Sequence, residues 1–424
     1  MKIFFSAGEP SGDMHGATLI RELRRQRPDF QAVGYGGPQM AAAGCELHAD
    51  LTKLAVMWFL RVLVNLHKFW NLASLADRYF RHHRPDAVVV IDYPGFNWWI
   101  ARRARFHGIP VFYFVPPQLW AWAGWRVQKM RRFVDHVLCG LPFEAKWFAD
   151  QGCRAVFVGH PYFDHLQKEQ LDAKFLANHA QPDRPLVTIL PGSRTQEVTQ
   201  NLKYFLRAAG LIHTYMPEVR FAVASFKPHQ ATIARDAVAA AGLPVEVYVG
   251  KTPELIQLAD CCMAVSGSVS LELLYRAKPT VILYCISPLA YWVQAQFRKV
   301  KYITLVNLLS SDALAPNDLR PYDPNGPDAQ RVLFPEYLTC EDKSLAIATH
   351  LVGWLTNADE RARLARELGR LRDKVGHGGA SRKAAEYICQ ALESVRPPVP
   401  RPHFMPAQAP ADEHAPAASA TKAA

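Results

Sequence analysis

The chain has 424 residues, half of them hydrophobic and 21% charged, which predicts a globular protein with two domains of ordinary size. Lys and Arg outnumber Asp and Glu by 49 to 38, so the net charge is +11. Such a surface suits nucleic acid, an anionic membrane or a phosphorylated substrate, although the sequence has no run of five basic residues typical of RNA-binding arms.

The eight cysteines are scattered and form no C-x-x-C pair. This pattern argues against a zinc site or a disulfide framework and suits a reducing cytosol. The start of the chain has no apolar signal-peptide core, and no stretch of about 18 uncharged apolar residues predicts a spanning helix. We therefore expect a cytosolic protein.

Strands and helices alternate from the beginning of the chain. Residues 2–7 predict a strand, residues 8–13 a glycine-containing loop and residues 15–26 a helix with basic residues in its last turns. A second strand is predicted at 30–35 and ends in another glycine-rich turn. This alternation is typical of a doubly wound α/β fold, while the dinucleotide signal is weak without a full G-x-G-x-x-G.

Residues 54–80 form a long apolar segment with large aromatic side chains and basic neighbours. Such a helix can lie in a membrane interface, with its aromatic groups at the headgroup boundary and its cations on anionic lipid. The alternative is a helix or helix pair buried inside the domain. The candidate membrane-contact residues are Trp58, Phe59, Leu60, Leu63, Phe69 and Trp70.

Residues 87–91 form a continuous apolar run rich in β-branched side chains, bracketed by Pro85 and Pro94. A strand without polar alternation predicts burial on both faces of a parallel sheet. Asp92 follows at once, and ligands of open α/β sheets bind beyond the carboxyl ends of the strands. Asp92 is therefore a candidate catalytic acid, and the alternative is a side chain that caps the next turn or helix.

A second series of strands and helices starts at residue 186. The strand predicted at 186–190 is followed by Gly192, Ser193 and Arg194 and then by a helix. Backbone N–H groups at a helix start favour anions, and a guanidinium can bind phosphate through two hydrogen bonds. This loop is a candidate phosphate site.

Ser266, Gly267 and Ser268 repeat this arrangement at a later strand end, with Glu272 one turn into the following helix. Two such loops favour a nucleotide that carries phosphate, and Glu272 could then accept hydrogen bonds from ribose hydroxyls. The alternative for Glu272 is a charge that is favourable near a helix N-terminus through the helix dipole.

The predicted organisation is two Rossmann-like domains that face each other across a cleft, residues 1–170 and 171–357. Residues 312–332, rich in Pro, Asp and Asn, predict a surface insertion. We expect the C-terminal helices, within 359–394, to pack back on the first domain. The Pro- and Ala-rich tail at 396–424 predicts disorder.

Nine short motifs follow one another along the chain: AGEPSGD (7–13), LAVMWFLRVL (54–63), IDYPGFN (91–97), LWAW (119–122), LPFE (141–144), VGHP (158–161), LPGSR-x-x-EV (190–198), SGSVSLE (266–272) and VNLL (306–309). With these motifs the sequence resembles the lipid A disaccharide synthases, a family of GT-B glycosyltransferases, from residue 3 to about residue 310.

The resemblance implies transfer of 2,3-diacylglucosamine from UDP-2,3-diacylglucosamine to 2,3-diacylglucosamine 1-phosphate. The products would be a β-1,6-linked disaccharide 1-phosphate and UDP, with inversion at the anomeric carbon and no covalent enzyme intermediate. UDP would bind to the second domain.

Carried over residue by residue, the resemblance implies that Asp92 is the essential acid and that Arg194 contacts a phosphate or the acceptor. Glu9 and Ser11 would line the first-domain side of the cleft. The nucleotide side would be lined by Ser266, Ser268, Glu272 and Asn307.

An inverting transfer needs a general base for the 6-hydroxyl of the acceptor, and Asp92, Glu9 and His160 are the candidates. Gly95 stands where the family commonly has a second acid, so Asp92 would act without that neighbour.

Two alternatives stay open: a GT-B transferase or epimerase that acts on another UDP-sugar, and an inactive lipid-binding homologue. The expected partners are the UDP-linked donor, the lipid acceptor and an anionic membrane surface on the inner face of the cytoplasmic membrane. Nucleic acid is not expected, and the oligomeric state stays open, a homodimer included. No cofactor is expected, and no cluster of ligand residues predicts a metal site.

Overall fold

The computed structural model describes residues 1–55, 66–311, 314, 318–327 and 329–394. Four candidate membrane-contact residues, Trp58, Phe59, Leu60 and Leu63, lie outside the described residues, as does the predicted tail. The described chain forms two parallel β-sheets flanked by helices, so the predicted α/β class is confirmed.

Seven parallel strands form the first sheet in the order β3-β2-β1-β4-β5-β6-β7. The winding direction reverses between β1 and β4, which pair directly, with Ile3 opposite Ala87 and Ala7 opposite Ile91. The loops after these two strands therefore open the crevice in which such sheets bind ligands. The strands are β1 (Lys2–Ala7), β2 (Gln31–Gly36), β3 (Glu46–Asp50), β4 (Ala87–Ile91), β5 (Val111–Phe114), β6 (His136–Cys139) and β7 (Ala155–Phe157).

Strand β4 is the apolar run identified in the sequence, and all five of its residues are buried. Val88 and Val90 belong to the apolar cluster on one face of the sheet, while Ala87, Val89 and Ile91 belong to the cluster on the other. Because helices cover both faces, the strand needs no polar alternation.

The first-sheet helices are α1 (Pro10–Gln26), α2 (Pro38–Ala42), α3 (Thr52–Ala55), α4 (Leu66–His83), α5 (Pro94–Phe106), α6 (Leu119–Trp122), α7 (Val127–Phe133), α8 (Pro142–Asp150) and α9 (Pro161–Lys168). Helix α1 begins earlier than the predicted start at residue 15. Pro10 explains the difference, because its fixed φ suits the first turn and its missing N–H has no helical partner to lose.

Helix α4 has one buried face and one exposed face. Phe69 is only 8% exposed and packs in the core against Phe96, so the expectation that it contacts a membrane is wrong. The helical spacing of Phe69, Ala73, Ala76 and Phe80 places it on the inner stripe. Trp70 lies on the outer face and is 56% exposed. No helix in the described ranges is long and apolar enough to cross a membrane.

Six parallel strands form the second sheet in the order β10-β9-β8-β11-β12-β13. Its winding direction reverses between β8 and β11, so their loops open a second crevice. The strands are β8 (Leu186–Leu190), β9 (Arg220–Ser225), β10 (Val245–Val249), β11 (Cys261–Ala264), β12 (Thr280–Cys285) and β13 (Glu336–Thr339). The helices are α10 (Ala173–His179), α11 (Thr195–Tyr215), α12 (Pro228–Ala241), α13 (Thr252–Leu258), α14 (Val269–Tyr275), α15 (Pro288–Phe297), α16 (Leu305–Ser310) and α17 (Ser344–Thr356).

The two C-terminal helices, α18 (Ala358–Val375) and α19 (Ala380–Ser394), pack on different sheets. Helix α19 lies against α1 and buries Ala384 and Ile388 in the first-sheet core. Helix α18 differs from the expectation, because its apolar stripe of Leu364, Leu368 and Leu371 joins the second-sheet core.

The segment predicted as a surface insertion is partly packed where the structure describes it. Tyr322 and Val332 are buried against the second-sheet core. The Tyr322 ring lies 5.6 Å from the ring of Tyr337 on β13. Part of this segment therefore covers the edge of the second sheet.

Candidate functional site

Asp92 lies in a strained turn at the carboxyl end of β4. Asp92 and Tyr93 have φ angles of 43° and 47°, a left-handed conformation that costs non-glycine residues about 1 to 3 kcal/mol each. Tyr93 is the N-cap residue of α5, and no side chain caps this helix, so a capping role does not account for Asp92. Strain of this kind persists only where the surroundings hold it.

The ring of Tyr93 packs directly over Gly8, at the end of β1. A Cβ placed on Gly8 would lie only 2.2 Å from the Tyr93 ring. Glycine is therefore required here, and the β1 loop and the β4 turn lock together at the point where the winding of the sheet reverses.

Two buried side chains hold the backbone of the strained turn. The Tyr113 hydroxyl and the Asn97 Nδ2 each donate to the carbonyl oxygen of Asp92, both at 2.7 Å. Asn97 is itself fixed by Ser6, whose hydroxyl donates to its Oδ1 and whose carbonyl accepts from its Nδ2. Asn97 of the IDYPGFN motif and Tyr113 on β5 thus position Asp92 through its main chain.

The carboxyl group of Asp92 faces charges from both domains. Burial, and next the Glu9 carboxylate, raise the pKa of Asp92 to about 6, while the Tyr93 N–H and the Arg194 guanidinium lower it. Glu9 comes from the loop after β1, and Arg194 comes from the loop after β8. The structure therefore brings three predicted site residues, Glu9, Asp92 and Arg194, to the same cleft.

A third acid of this cluster, Glu144, was missed as a site residue in the sequence. It is buried, accepts from the indole N–H of Trp120 at 3.1 Å, and caps the start of α8 through the N–H of Leu141. Burial raises its pKa to about 7, and the Asp92 charge contributes to that rise. Both residues lie in motifs noted in the sequence, Glu144 in LPFE and Trp120 in LWAW, but they meet only in the fold.

His160, the third candidate base, caps α9 by accepting the Tyr162 N–H at its Nδ1. Its proton therefore resides on Nε2, so neither ring nitrogen is free to act as a base in this arrangement. Burial lowers the pKa of His160 to about 4. Burial, followed by the charges of His160 and His165, lowers the pKa of the neighbouring His15 to about 3.

The candidate phosphate loop after β8 is closed by its own helix. The carboxylate of Glu197 accepts from the backbone N–H groups of Ser193 and Arg194 and from the Arg194 guanidinium, at 3.1 to 3.3 Å. Gly192 has a φ of 123°, and a Cβ there would meet Glu197 at 2.5 Å. The Glu197 carboxylate thus occupies the position at which this loop would bind an anion. The Arg194 side chain is 71% exposed and can still contact a ligand.

Glu272 lies in a buried ion network at the start of α14. Its Oε1 accepts from the Nε of Arg276 and its Oε2 from the Tyr162 hydroxyl, while Arg276 also binds Glu169. Burial raises the pKa of Glu272 against the lowering effect of Arg276. The network fixes the carboxylate beside the Ser266–Ser268 turn.

The remaining nucleotide-side candidates have different surroundings. Gly267 and Ser268 are exposed, and the Ser266 hydroxyl donates to the carbonyl oxygen of Ile303. Asn307 is buried, donates to the Glu336 carboxylate and the Phe334 carbonyl, and accepts the Phe334 N–H. In this structure Asn307 holds the α16–β13 connection.

Ser11 is exposed in the first turn of α1, near Glu9. Its neighbour Asp13 is buried and accepts three backbone N–H groups from residues 37, 39 and 40, which anchors α2. The structure contains no group of three or more His, Cys, Asp or Glu side chains arranged to hold a metal ion among its described residues.

The sequence profile of the family described as "Lipid-A-disaccharide synthetase" matches residues 3–322. Curated relatives named lipid-A-disaccharide synthase match nearly the whole chain. The protein of Coxiella burnetii (strain CbuG_Q212) is 32% identical over 391 residues, 91% of this chain and 97% of the relative. That of Geobacter metallireducens is 31% identical over 404 residues, 93% and 98% of the two chains.

Solved structures show the same two-domain fold at low sequence identity. The UDP-GlcNAc 2-epimerase of Neisseria meningitidis, bound to UDP-GlcNAc, matches with a TM-score of 0.62 and 12% identity over 92% of this chain and all of that one. MurG of Acinetobacter baumannii matches with a TM-score of 0.53 and 14% identity over 92% and 99% of the chains. These likenesses confirm the predicted GT-B architecture, and together with the family match they establish that the chain belongs to the lipid-A-disaccharide synthase family, as a GT-B glycosyltransferase of lipid A synthesis.

Proposed function

We propose that the protein transfers 2,3-diacylglucosamine from UDP-2,3-diacylglucosamine to 2,3-diacylglucosamine 1-phosphate. The observation that carries the proposal is the position of Asp92, which is held in a strained turn of the first domain within electrostatic reach of Arg194 from the second domain. A GT-B transfer needs an acid–base group on the acceptor side and a cation on the nucleotide side. The cleft offers both.

In this mechanism Asp92 takes the proton from the 6-hydroxyl of the acceptor as that oxygen attacks the anomeric carbon of the donor. The bond from the anomeric carbon to the UDP oxygen breaks in the same displacement, which inverts the configuration. A pKa of about 6 keeps Asp92 largely ionised at neutral pH while leaving it more basic than an ordinary aspartate.

Residues of the second domain would stabilise the negative charge on the departing UDP. Arg194 would bind the diphosphate through its exposed guanidinium, and Gly192 and Ser193 would shape the loop that Glu197 closes. The Ser266–Ser268 turn would approach the nucleotide from β11. Glu272, fixed by Arg276 and Tyr162, would accept from the ribose hydroxyls. Glu9 and Ser11 would contact the acceptor opposite.

As part of the same proposal, the reaction takes place at the inner face of the cytoplasmic membrane, where the lipid-linked substrates would lie. Trp70 supports this part of the proposal, because its exposed ring lies 5.7 Å from that of Trp99, with the Arg103 guanidinium 5.7 Å from the Trp70 centroid. Exposed indoles with a cation beside them suit the boundary between headgroups and acyl chains.

The test is an assay of purified protein with both lipid substrates dispersed in detergent. We expect release of UDP in equal amount to a disaccharide whose new linkage, assigned by NMR, is β-1,6. Epimerised donor without disaccharide would instead show that this chain acts on a UDP-sugar alone. Absence of any product, with the fold intact by circular dichroism, would contradict the proposed activity.

The identity of the base is tested in the same assay by Asp92→Asn and Glu9→Gln. If Asp92 is the base, its variant should lose about a hundredfold or more in kcat, while the Glu9 variant loses less. The reverse order would assign the proton transfer to Glu9.

A further inference from the structure

Helix α15 presents its apolar face to solvent. Its sequence, PLAYWVQAQF, contains no charged residue, and nine of its ten residues are exposed. Leu289, Trp292, Val293 and Phe297 follow the helical spacing i, i+3, i+4 and i+8, so they form one stripe, with exposed fractions from 41% to 72%. A helix of a globular domain normally buries such a stripe. We therefore infer that another surface covers this one.

The helix lies at the mouth of the cleft. It starts directly after the carboxyl end of β12, where the Ser287 hydroxyl caps it by accepting the Ala290 N–H. Two residues beyond its end, the Lys299 N–H donates to the carbonyl oxygen of Ala121 in α6 of the first domain. The helix therefore joins the two domains along the cleft.

The first domain continues this apolar surface. Trp122, next to Ala121, and Trp125 are 50% and 60% exposed, with ring centroids 6.4 Å apart. The Arg126 guanidinium lies 5.0 Å from the Trp122 ring centroid. We call the exposed stripe of α15 together with Trp122 and Trp125 the rim surface.

We propose that the rim surface lies on the lipid bilayer, as a contact that spans both domains at the cleft entrance and is separate from the 54–80 segment. The proposal deepens the proposed function, on which it rests. The ten-residue helix is about 15 Å long, suited to lie in the plane of the interface, with its apolar stripe toward the acyl chains.

Charge favours a bilayer over a second copy of the chain as the occupant. Arg126 and the exposed Lys299 flank the apolar groups, and the chain carries a net charge of +11. Anionic headgroups would neutralise these cations, whereas a second copy would bring like charge. The six large apolar side chains are also few beside the roughly 20 to 30 residues that each partner contributes to a stable protein interface.

The consequence concerns how the substrates arrive. Because both domains touch the bilayer at the mouth of the cleft, a sugar phosphate held in the membrane by its acyl chains reaches the site without leaving the lipid. The rim surface would thus set affinity for lipid, while Asp92 and Arg194 act on the sugar and its phosphates.

The test compares the double variant Trp292→Ser/Phe297→Ser with the control Tyr215→Ser. Tyr215 is 71% exposed but is the last residue of α11, which begins at the cleft edge of the second sheet and runs to the opposite edge. Binding is measured by co-sedimentation with phosphatidylcholine vesicles, with and without phosphatidylglycerol. We expect the double variant to bind the anionic vesicles at least about tenfold more weakly than wild type, and the control to bind as wild type.

Two further measurements keep the outcomes distinct. Activity of the double variant toward substrates dispersed in detergent should equal that of wild type, which separates lost membrane contact from lost folding or chemistry. Unchanged vesicle binding would overturn the rim proposal and leave the proposed activity standing. Conversion of a wild-type dimer to a monomer in sedimentation velocity, with vesicle binding unchanged, would assign the surface to a second copy instead.

Discussion

Two successive residues in the left-handed conformation, Asp92 and Tyr93, store strain in the turn after β4. The hydrogen bonds from Tyr113 and Asn97 to the Asp92 carbonyl oppose relaxation of that turn. Since these bonds act on the main chain, they position the carboxyl group without touching it.

Tyr113→Phe should therefore lower kcat while changing KM little, because the reacting acid loses its orientation and the substrates keep their contacts. Tyr35→Phe is the matched control, since the Tyr35 hydroxyl also donates at 2.7 Å to a backbone carbonyl, that of Leu72. Both variants should lose about 1 kcal/mol in the free energy of unfolding, measured with urea. Equal kcat values for the two variants would show that the Tyr113 bond is only structural.

Asp92→Asn should stabilise the protein at neutral pH, by about 3 kcal/mol. The folded-state pKa, about 6, exceeds the ordinary value of 3.8, so the folded protein binds this proton more tightly than the unfolded chain. The stability from Asp92 is thus full below the ordinary value and is lost as the pH rises through about 6. Denaturant titrations should show the advantage of the variant at pH 7 and its disappearance near pH 4, whereas an advantage that grows on acidification would refute the raised pKa.

At the scale of elements, the parallel strands were the most readable part of the sequence. Strand β4 was identified because burial on both faces removes polar alternation, and β8 for the same reason. Strand β13 has four residues and was not predicted, since its pairing with β12 comes after the segment 312–332 and leaves no local pattern. The exposed stripe on α15 was also missed, because spacing alone does not tell which way an apolar face points.

The site was readable only in part. Asp92 and the LPGSR loop directly follow strands, so their position at the carboxyl ends of the sheet strands could be predicted. The pairing of Glu144 with Trp120 depends on a distance that no spacing encodes. The closure of the phosphate loop by Glu197 is local, since Glu197 is the third helical residue after Arg194, and it was missed.

The close packing of Gly8 in the β1 loop against the Tyr93 ring in the β4 turn can be tested by substitution. Gly8→Ala should lower both stability and kcat, because the new methyl group would push the Tyr93 ring away from the turn. Gly95→Ala is the control: a Cβ there meets nothing within 4 Å, and a helical alanine is favoured over glycine by roughly 0.5 to 1 kcal/mol. Thermal melting and kcat of both variants check this, and a harmless Gly8→Ala would contradict the close packing.

At the scale of the molecule, the chain returns from the second sheet to the first through α18 and α19. Asp164, buried in α9, accepts the backbone N–H groups of Gly379, Ala380 and Ser381 and so fastens the start of α19. The chain thus crosses between the two sheets twice, after α9 and again between α18 and α19.

Asp164→Ala should cost about 1 to 3 kcal/mol or more, because three N–H groups lose a charged acceptor in a buried setting. Limited proteolysis should then cut between α18 and α19 faster than in wild type. Asp172→Ala, which removes the exposed cap of α10, should cost less and leave that cleavage rate unchanged. Unaltered proteolysis of the Asp164 variant would mean that the packing of α19 on α1 suffices to hold it.

The measurement that tests the central claim most directly is the pH dependence of kcat/KM for disaccharide formation by wild type and Asp92→Asn. The account predicts that the wild-type rate falls about tenfold per pH unit below an apparent pKa near 6, as Asp92 takes up its proton. The variant should be slower by about a hundredfold or more at neutral pH and lose this acid limb. A variant that keeps both the wild-type rate and the acid limb would contradict the assignment of Asp92 as the catalytic base.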